Sequence, residues 1–201
     1  MPPTTRTFVA IPLPPPVGES LVRLQEALRP KLPGVRWATT PPFHITLAFL
    51  GDVADAELAA VSQAVSTACA PFAPFELHLE GLGVFPDLRR PRVLWAGVTV
   101  PEDSPLARLQ TAVAAAVSRV GYPPDSERFS PHVTLGRFKP ERGRSAPPSL
   151  AAILDSNQAW SGGTFTAWEV TTFASTRGPE GPTYSPLGVA PLLGPRATAP
   201  P

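Results

Sequence analysis

The chain has 201 residues but only one cysteine, Cys69, and only three histidines. A single cysteine excludes an intramolecular disulfide and any metal site built from a cysteine cluster. No apolar run approaches the roughly 20 residues that a membrane-spanning helix needs, and prolines interrupt the apolar residues near the start, unlike a secretory signal. The formal net charge of +1 indicates no broad basic surface for extensive duplex binding. We therefore expect a soluble, cytoplasmic protein with no membrane partner.

The short motifs of several common enzyme classes are also missing. The chain contains no G-x-S-x-G, the signature of many serine hydrolases. It contains neither a phosphate-binding loop nor the glycine pattern of a dinucleotide-binding fold. These absences turn attention to the few residues that can move protons near neutral pH, and above all to the histidines.

Two of the three histidines open the same short phrase. "FHITL" contains His44 and "PHVTL" contains His132, 88 positions later, while "LVRLQEAL" and "LARLQTAV" are 85 positions apart. Around each phrase, hydrophobic periodicity predicts the same order of elements: strand, helix, His-x-Thr strand, helix, strand. The predicted segments are 6–13, 17–32, 43–50, 55–69 and 75–85, and then 92–100, 104–120, 131–138, 149–156 and 164–176, with a last strand at 183–190.

This repeated order predicts an internal duplication. We expect one α+β domain over residues 1–190, made of two pseudo-symmetric lobes from about 6–90 and 91–190. Each lobe would be an antiparallel sheet with helices packed outside, and a groove would lie between the lobes. Residues 191–201, rich in proline and alanine, are predicted to be a disordered tail. Chance similarity of two helices rich in alanine and leucine is the alternative.

Strand alternation gives the repeated phrase its chemistry. His44 and Thr46 point to one face of their strand, about 7 Å apart, and His132 and Thr134 do the same in theirs. A two-fold axis would place both pairs across one groove. One neutral imidazole can accept a proton and one protonated imidazole can donate one. In-line displacement at phosphorus needs an acid and a base on opposite sides, so the pattern favours phosphoryl chemistry.

Arg137 and Phe49 occupy corresponding places, five residues after the two histidines. A guanidinium suits a phosphate because it offers paired donors to two oxygens, and Phe49 is a candidate for stacking on a base. Regular alternation would turn both side chains away from the histidines. A bulge would reverse this, and Gly136 is a residue type that often marks one.

A metal site is the competing interpretation. Zinc usually needs three or four ligands from Cys, His, Asp or Glu. Neither phrase has a carboxylate nearby on the same strand face, and threonine is a poor zinc ligand. We therefore expect no metal and no cofactor. A nucleotide-binding module without turnover is a further alternative, although such a module has no need of both histidines.

The phrases resemble those of the 2H phosphoesterase superfamily. With "TFVAIPLP", "FHITLAFLG", "GLGVFP", "PRVLWAGV" and "SPHVTLGRF" in order over residues 6 to 190, the chain is similar to LigT-like RNA 2′,3′-cyclic phosphodiesterases, also called 2′-5′ RNA ligases. The resemblance implies metal-free opening of a 2′,3′-cyclic phosphate at an RNA end, or on a cyclic nucleotide, leaving a 2′-phosphate.

The same resemblance implies roles for individual residues. His44 corresponds to the proton donor, His132 to the proton acceptor, and Thr46, Thr134 and Arg137 to phosphate-binding residues. Phe43 stands where relatives often have leucine, a difference in packing alone. Ligation with a 5′-hydroxyl in place of water is the alternative direction of the same chemistry. Nothing in the pattern suggests an oligomer, so we expect a monomer.

Overall fold

The computed structural model describes residues 2–38, 43–100, 104–124, 129–139, 147, 149–178 and 181–195. Nine strands in this part of the chain form one antiparallel sheet: β1 Thr4–Pro12, β2 Val35–Trp37, β3 His44–Ala54, β4 Phe75–Phe85, β5 Val93–Thr99, β6 His132–Phe138, β7 Ser161–Ala167, β8 Glu169–Gly178 and β9 Gly181–Pro191. The helices are α1 Pro15–Leu28, α2 Leu58–Cys69, α3 Leu106–Arg119 and α4 Leu150–Ser156, with a 3₁₀ turn at Asp55–Glu57.

The order of strands in the sheet is symmetric about its centre. It runs β7-β4-β5-β6-β3-β1-β8-β9, with β2 pairing with β6 outside this path. Each strand on one side has a counterpart at the same distance on the other, so that β6 matches β3, β5 matches β1 and β4 matches β8. The two sides meet where β3 and β6 pair, through Ile45 opposite Val133. The α+β class and the two-lobed arrangement are therefore confirmed, and the internal duplication stays a prediction.

The lobes do not coincide with the two halves of the chain. β4 comes from the first half but lies beside β5, whereas β8 and β9 come from the second half but lie on the side of β1. The division expected near residue 90 falls between β4 and β5, which are hydrogen-bonded neighbours. Alternation of apolar residues identifies a strand and its buried face, but it does not reveal the strand's partner. For this reason the exchange could not be predicted from the pattern.

The strand predicted over 164–176 is in fact two strands. It is interrupted at Trp168, and the parts go to opposite sides of the sheet: β7 pairs with β4, and β8 pairs with β1. Buried apolar residues continue on both sides of the interruption, with Phe165 and Ala167 before it and Val170 and Phe173 after it. The pairing of the last predicted strand with this region is confirmed, since β9 pairs with β8.

The helices cover one face of the sheet with their apolar stripes. In α1, Leu21, Leu24 and Leu28 are buried, and Leu109 and Val113 are buried in α3. Ile45 and Val133 belong to the same core, so their neighbours in β3 and β6 face the other side, away from the helices. None of the helices described is long and apolar enough to cross a membrane.

The predicted tail begins inside the fold. β9 extends to Pro191, and Leu192 is buried, with its N–H donating to the carbonyl of Trp168. Gly194 N–H donates to the carbonyl of Phe72. Residues 196–201 of the expected tail lie outside the described residues.

Candidate active site

A cavity of about 750 Å³ lies at the junction of the two lobes. It is on the sheet face that the helices leave open. The structure brings all six predicted site residues to its lining, three from β3 and three from β6: His44, Thr46, Phe49, His132, Thr134 and Arg137. Residues far apart in the chain therefore share one volume.

The pairing of β3 with β6 sets the arrangement of the two phrases. Because Ile45 lies opposite Val133 in an antiparallel pair, Thr134 falls across from His44, and His132 across from Thr46. The imidazoles are therefore at one pair of diagonal corners and the hydroxyls at the other. In a regular ladder, side chains on such a diagonal are about 7–8 Å apart. A phosphate held by the hydroxyls would thus have one imidazole on each side.

A bulge at Leu135 turns Arg137 into the cavity. Trp95 of β5 pairs with Thr134 and Leu94 pairs with Gly136, so Leu135 has no partner in β5. The extra residue shifts the alternation by one. Arg137 consequently lies on the same face as Thr134, and it lines the cavity.

An equivalent bulge at Leu47 does the same for Phe49. Ala10 of β1 pairs with Thr46, and Val9 pairs with Ala48, so Leu47 has no partner in β1. Phe49 follows on the face of the cavity and is 46% exposed. Its ring centroid is 6.1 Å from that of Phe8. No glycine marks this second bulge, so the sequence carried no signal for it.

The protonation of His132 follows from its neighbours. Its Nδ1 is 2.7 Å from the carbonyl oxygen of Ser130. A carbonyl can only accept, so Nδ1 carries the hydrogen and Nε2 of the neutral ring keeps a lone pair. Burial lowers the pKa of His132 below its usual value, and the charge of Arg137 lowers this pKa further, while the Ser130 carbonyl opposes both. His132 is thereby suited to accept a proton near neutral pH.

Aromatic rings from neighbouring strands surround each imidazole. The His44 ring lies 4.9 Å from Phe8, 6.2 Å from Phe173 and 5.1 Å, edge-on, from Tyr184. The His132 ring lies 4.9 Å, edge-on, from Phe85. These contacts restrict how the imidazoles can turn. Sequence reasoning missed these aromatic residues because nothing in the local pattern shows which strands flank β3 and β6.

Arg137 also affects the pKa of Tyr184, on β9. Burial raises the pKa of the Tyr184 hydroxyl, and the charge of Arg137 opposes that rise. Arg137 acts in the same way on His132. The charge of Arg137 therefore acts on residues of two different strands, His132 of β6 and Tyr184 of β9.

The lining of the cavity is strongly cationic. Its described residues include four arginines, Arg6, Arg36, Arg137 and Arg177, and no aspartate or glutamate. Within the described part of the chain, the one ion pair joins Arg23 to Glu19, away from the site. The net charge of +1 concealed this local excess, which favours an anionic ligand. The same part of the chain holds no group of three or more His, Cys, Asp or Glu residues that could bind a metal ion.

Comparison with known proteins identifies the family. The sequence pattern of the family described as LigT like Phosphoesterase matches the chain twice, at residues 11–95 and 98–184. The chain belongs to this family. Each match contains one of the two His-x-Thr phrases.

Curated relatives agree with this assignment. The chain is 31% identical to an RNA 2′,3′-cyclic phosphodiesterase of Methanothermobacter thermautotrophicus, over 92% of this chain and 97% of the relative. It is 33% identical to a protein of the same name from Archaeoglobus fulgidus, over 92% and 98% of the two chains. A Geobacillus stearothermophilus protein of that name is 32% identical over 93% of this chain, but the chain spans only 57% of that protein's length.

Solved structures share the LigT-like fold. A Thermus thermophilus protein superposes with a TM-score of 0.76 at 28% identity, over 94% of this chain and 98% of the other. Escherichia coli LigT complexed with 3′-AMP superposes with a TM-score of 0.72 at 26% identity, over the same shares of the two chains.

Replacing Arg137 should change the titration of His132. Because its charge lowers the pKa of the imidazole, Arg137→Ala should raise that pKa and shift the acidic limb of a pH–rate profile to higher pH. Nuclear magnetic resonance of the His132 ring protons measures the pKa directly. Arg177→Ala is the control, since it removes another arginine of the lining that is not among the causes of the shift. An unchanged His132 pKa in Arg137→Ala would contradict the proximity of the two groups.

Proposed function

We propose that the protein is an RNA 2′,3′-cyclic phosphodiesterase that hydrolyses the cyclic phosphate at an RNA end to a 2′-phosphomonoester without a metal ion. The observation that carries the proposal is the pair of His-x-Thr strands on one arginine-lined cavity. The activity named for the relatives supports the same choice of substrate. A cytoplasmic location and a monomeric state remain predictions.

The first proton transfer is assigned to His132. Its Nε2 holds the free lone pair, because Nδ1 donates to Ser130, and its lowered pKa keeps the ring neutral. It takes a proton from water as the water oxygen forms a bond to phosphorus. Thr46, Thr134 and Arg137 bind the nonbridging oxygens, where negative charge develops.

The second proton transfer is assigned to His44, diagonally opposite. As the bond from phosphorus to the ribose O3′ breaks, a protonated His44 gives its proton to that oxygen. The phosphate stays on O2′, which yields the 2′-phosphomonoester. Exchange of protons with solvent restores both imidazoles. Ring strain in the cyclic phosphate assists the opening, so positioning and two proton transfers suffice for the reaction.

Phe49 is assigned to the base of the terminal nucleotide. Its exposed ring lines the cavity near the buried Phe8. An aromatic face accepts any base by stacking, which is worth about 1–3 kcal/mol. The site would therefore tolerate different bases at the end of the RNA.

Removing either catalytic histidine should almost abolish turnover. General acid–base catalysis contributes about 10²–10⁴-fold, so His44→Ala and His132→Ala should each lower kcat by that order while the fold is retained. His78→Ala is a matched control, because the third histidine contacts Thr164 and Ser161 on β7 and does not line the cavity. Full activity in either site variant would refute the assignment.

The product and the need for a metal are tested together. The protein is incubated with adenosine 2′,3′-cyclic phosphate in excess chelator, and the phosphomonoester isomer is identified by chromatography. We expect the 2′-phosphate, formed at the same rate with and without chelator. Exclusive formation of the 3′-phosphate would reverse the proposed leaving group. Loss of activity with chelator would overturn the metal-free mechanism, and tight binding without turnover would indicate a binding module.

A parallel reaction separates hydrolysis from ligation. An oligonucleotide with a cyclic-phosphate end is supplied together with one that has a 5′-hydroxyl end. Hydrolysed product should predominate. Joined product in excess of hydrolysed product would make ligation the main direction of the reaction.

A further inference from the structure

Two arginines face each other across neighbouring strands at the edge of the cavity. Arg36 of β2 lies directly opposite Arg137 of β6 in the register, and both line the cavity. Like charges directly opposite in a sheet are destabilising. Neither arginine forms an ion pair within the described residues, and no acidic side chain among those residues lines the cavity to separate them.

The backbones of β2 and β6 approach each other closely beside the two arginines. β2 passes so close to β6 that a Cβ atom on Gly136 would lie 2.5 Å from Cγ1 of Val35 and 2.9 Å from the carbonyl oxygen of Arg36. Only glycine allows this approach. The close approach of the strands therefore fixes the register that places Arg36 opposite Arg137.

One phosphate does not account for both arginines. The cyclic phosphate carries a single negative charge, and its two nonbridging oxygens already have Thr46, Thr134 and Arg137 as proposed partners. Arg36 adds a further charge and up to five donors. With about 750 Å³, the cavity has room for a ligand larger than one phosphate group.

We propose that Arg36 binds the phosphodiester on the 5′ side of the terminal nucleotide. The substrate class is then an RNA end of at least two nucleotides rather than a cyclic mononucleotide. This inference rests on the proposed function and adds a second anion site to it. The second negative charge would also relieve the repulsion between Arg36 and Arg137, so binding and stabilisation of the site would be coupled.

The test compares adenosine 2′,3′-cyclic phosphate with a diadenylate that ends in the same cyclic phosphate. The wild-type protein should favour the dinucleotide in kcat/KM, and Arg36→Gln should lower that preference by about tenfold, as expected for losing roughly 1.4 kcal/mol of binding. A dinucleotide with a neutral methylphosphonate linkage should lose the preference in the wild-type protein. Arg108→Gln, which changes an exposed arginine of α3 outside the cavity, should leave it intact.

Each outcome has a distinct meaning. A wild-type protein without preference, or a preference that survives Arg36→Gln, would overturn the second anion site while leaving the proposed function standing. If neither compound is cleaved, the proposed function fails, and binding measurements still test the second anion site. The slope of the logarithm of affinity against the logarithm of salt concentration should then be steeper for the dinucleotide than for the mononucleotide, by about 0.7 for the extra phosphate. Arg36→Gln should remove this difference in slope.

A second inference comes from two glutamines behind the site. Gln25 of α1 donates from Nε2 to the carbonyl oxygens of Leu135, at 2.8 Å, and Ala38, at 2.9 Å. Gln110 of α3 donates from Nε2 to the carbonyl oxygen of Leu47, at 3.3 Å. Leu135 and Leu47 are the bulge residues beside the two His-x-Thr phrases. The carbonyl of Leu135 also accepts from the backbone N–H of Ala38, at 2.9 Å.

The two contacts are crossed between the halves of the chain. α1 precedes β3 in the sequence but reaches the bulge of β6, and α3 precedes β6 but reaches the bulge of β3. Gln25 is only 4% exposed and is one of four buried polar residues in the described part of the chain. A buried amide is costly unless it is hydrogen-bonded, so its place here requires these bonds.

We infer that Gln25 and Gln110 are positioning residues for the site. By holding the bulge carbonyls, they keep the shifted alternation that turns Arg137 and Phe49 into the cavity. Neither glutamine lines the cavity, so both act only through the strands.

A double-mutant cycle tests this role. Gln25→Met keeps the length of the side chain but removes its donor, and it should lower kcat by about tenfold or more. In the Arg137→Ala background the same change should cost much less, because the residue that it positions is gone. Gln63→Met, on the exposed side of α2, is the matched control. If Gln25→Met lowers kcat equally in the wild-type protein and in Arg137→Ala, Gln25 stabilises the fold and does not position Arg137.

A second cycle guards against a variant that does not fold. If thermal unfolding shows that Gln25→Met is not folded, Gln110→Met is used, since its bond is longer and only part-buried. Its cost should shrink in the Phe49→Ala background. If the losses of kcat caused by Gln110→Met and Phe49→Ala are additive in the double variant, the inference is wrong for both glutamines.

Discussion

The site depends on the contact between β3 and β6. One residue pair, Ile45 opposite Val133, joins these strands, and both side chains are buried in the core. Their burial fixes the faces of the residues on either side, and so both imidazoles and both hydroxyls are directed into the cavity. A slip of one residue would exchange the two faces and bury the polar groups. The core therefore specifies the register, and the register specifies the chemistry.

The charges around the cavity complete that arrangement. Four arginines, with no carboxylate among the described residues of the lining, surround a space next to a half-buried imidazole. The positive field favours an anionic ligand. Burial lowers the pKa of His132, and the charge of Arg137 adds to this effect. The charge of Arg137 therefore favours both an anion in the cavity and the neutral form of His132, although burial is the larger cause of the lowered pKa.

Local patterns in the sequence predicted much of this, and long-range pairing did not follow from them. The repeated His-x-Thr phrase was sufficient to predict the two lobes, the groove and the residues that meet there. Gly136 favoured a bulge beside Arg137, but no residue near Leu47 predicted the bulge there. Arg36 carried no signal of its own because nothing local shows that β2 lies against β6. The break at Trp168 was hidden for a similar reason, since both of the resulting strands bury apolar residues.

The exchange of β4 and β8 between the lobes has a consequence for the whole molecule. Neither half of the chain can complete its own sheet, so an isolated half would leave the inner strand β1 or β5 with an open edge and uncovered apolar surface. Each half of the chain contributes strands to the other half's side of the sheet. They must fold together, and any motion that opens the groove has to bend a continuous sheet instead of swinging two independent bodies.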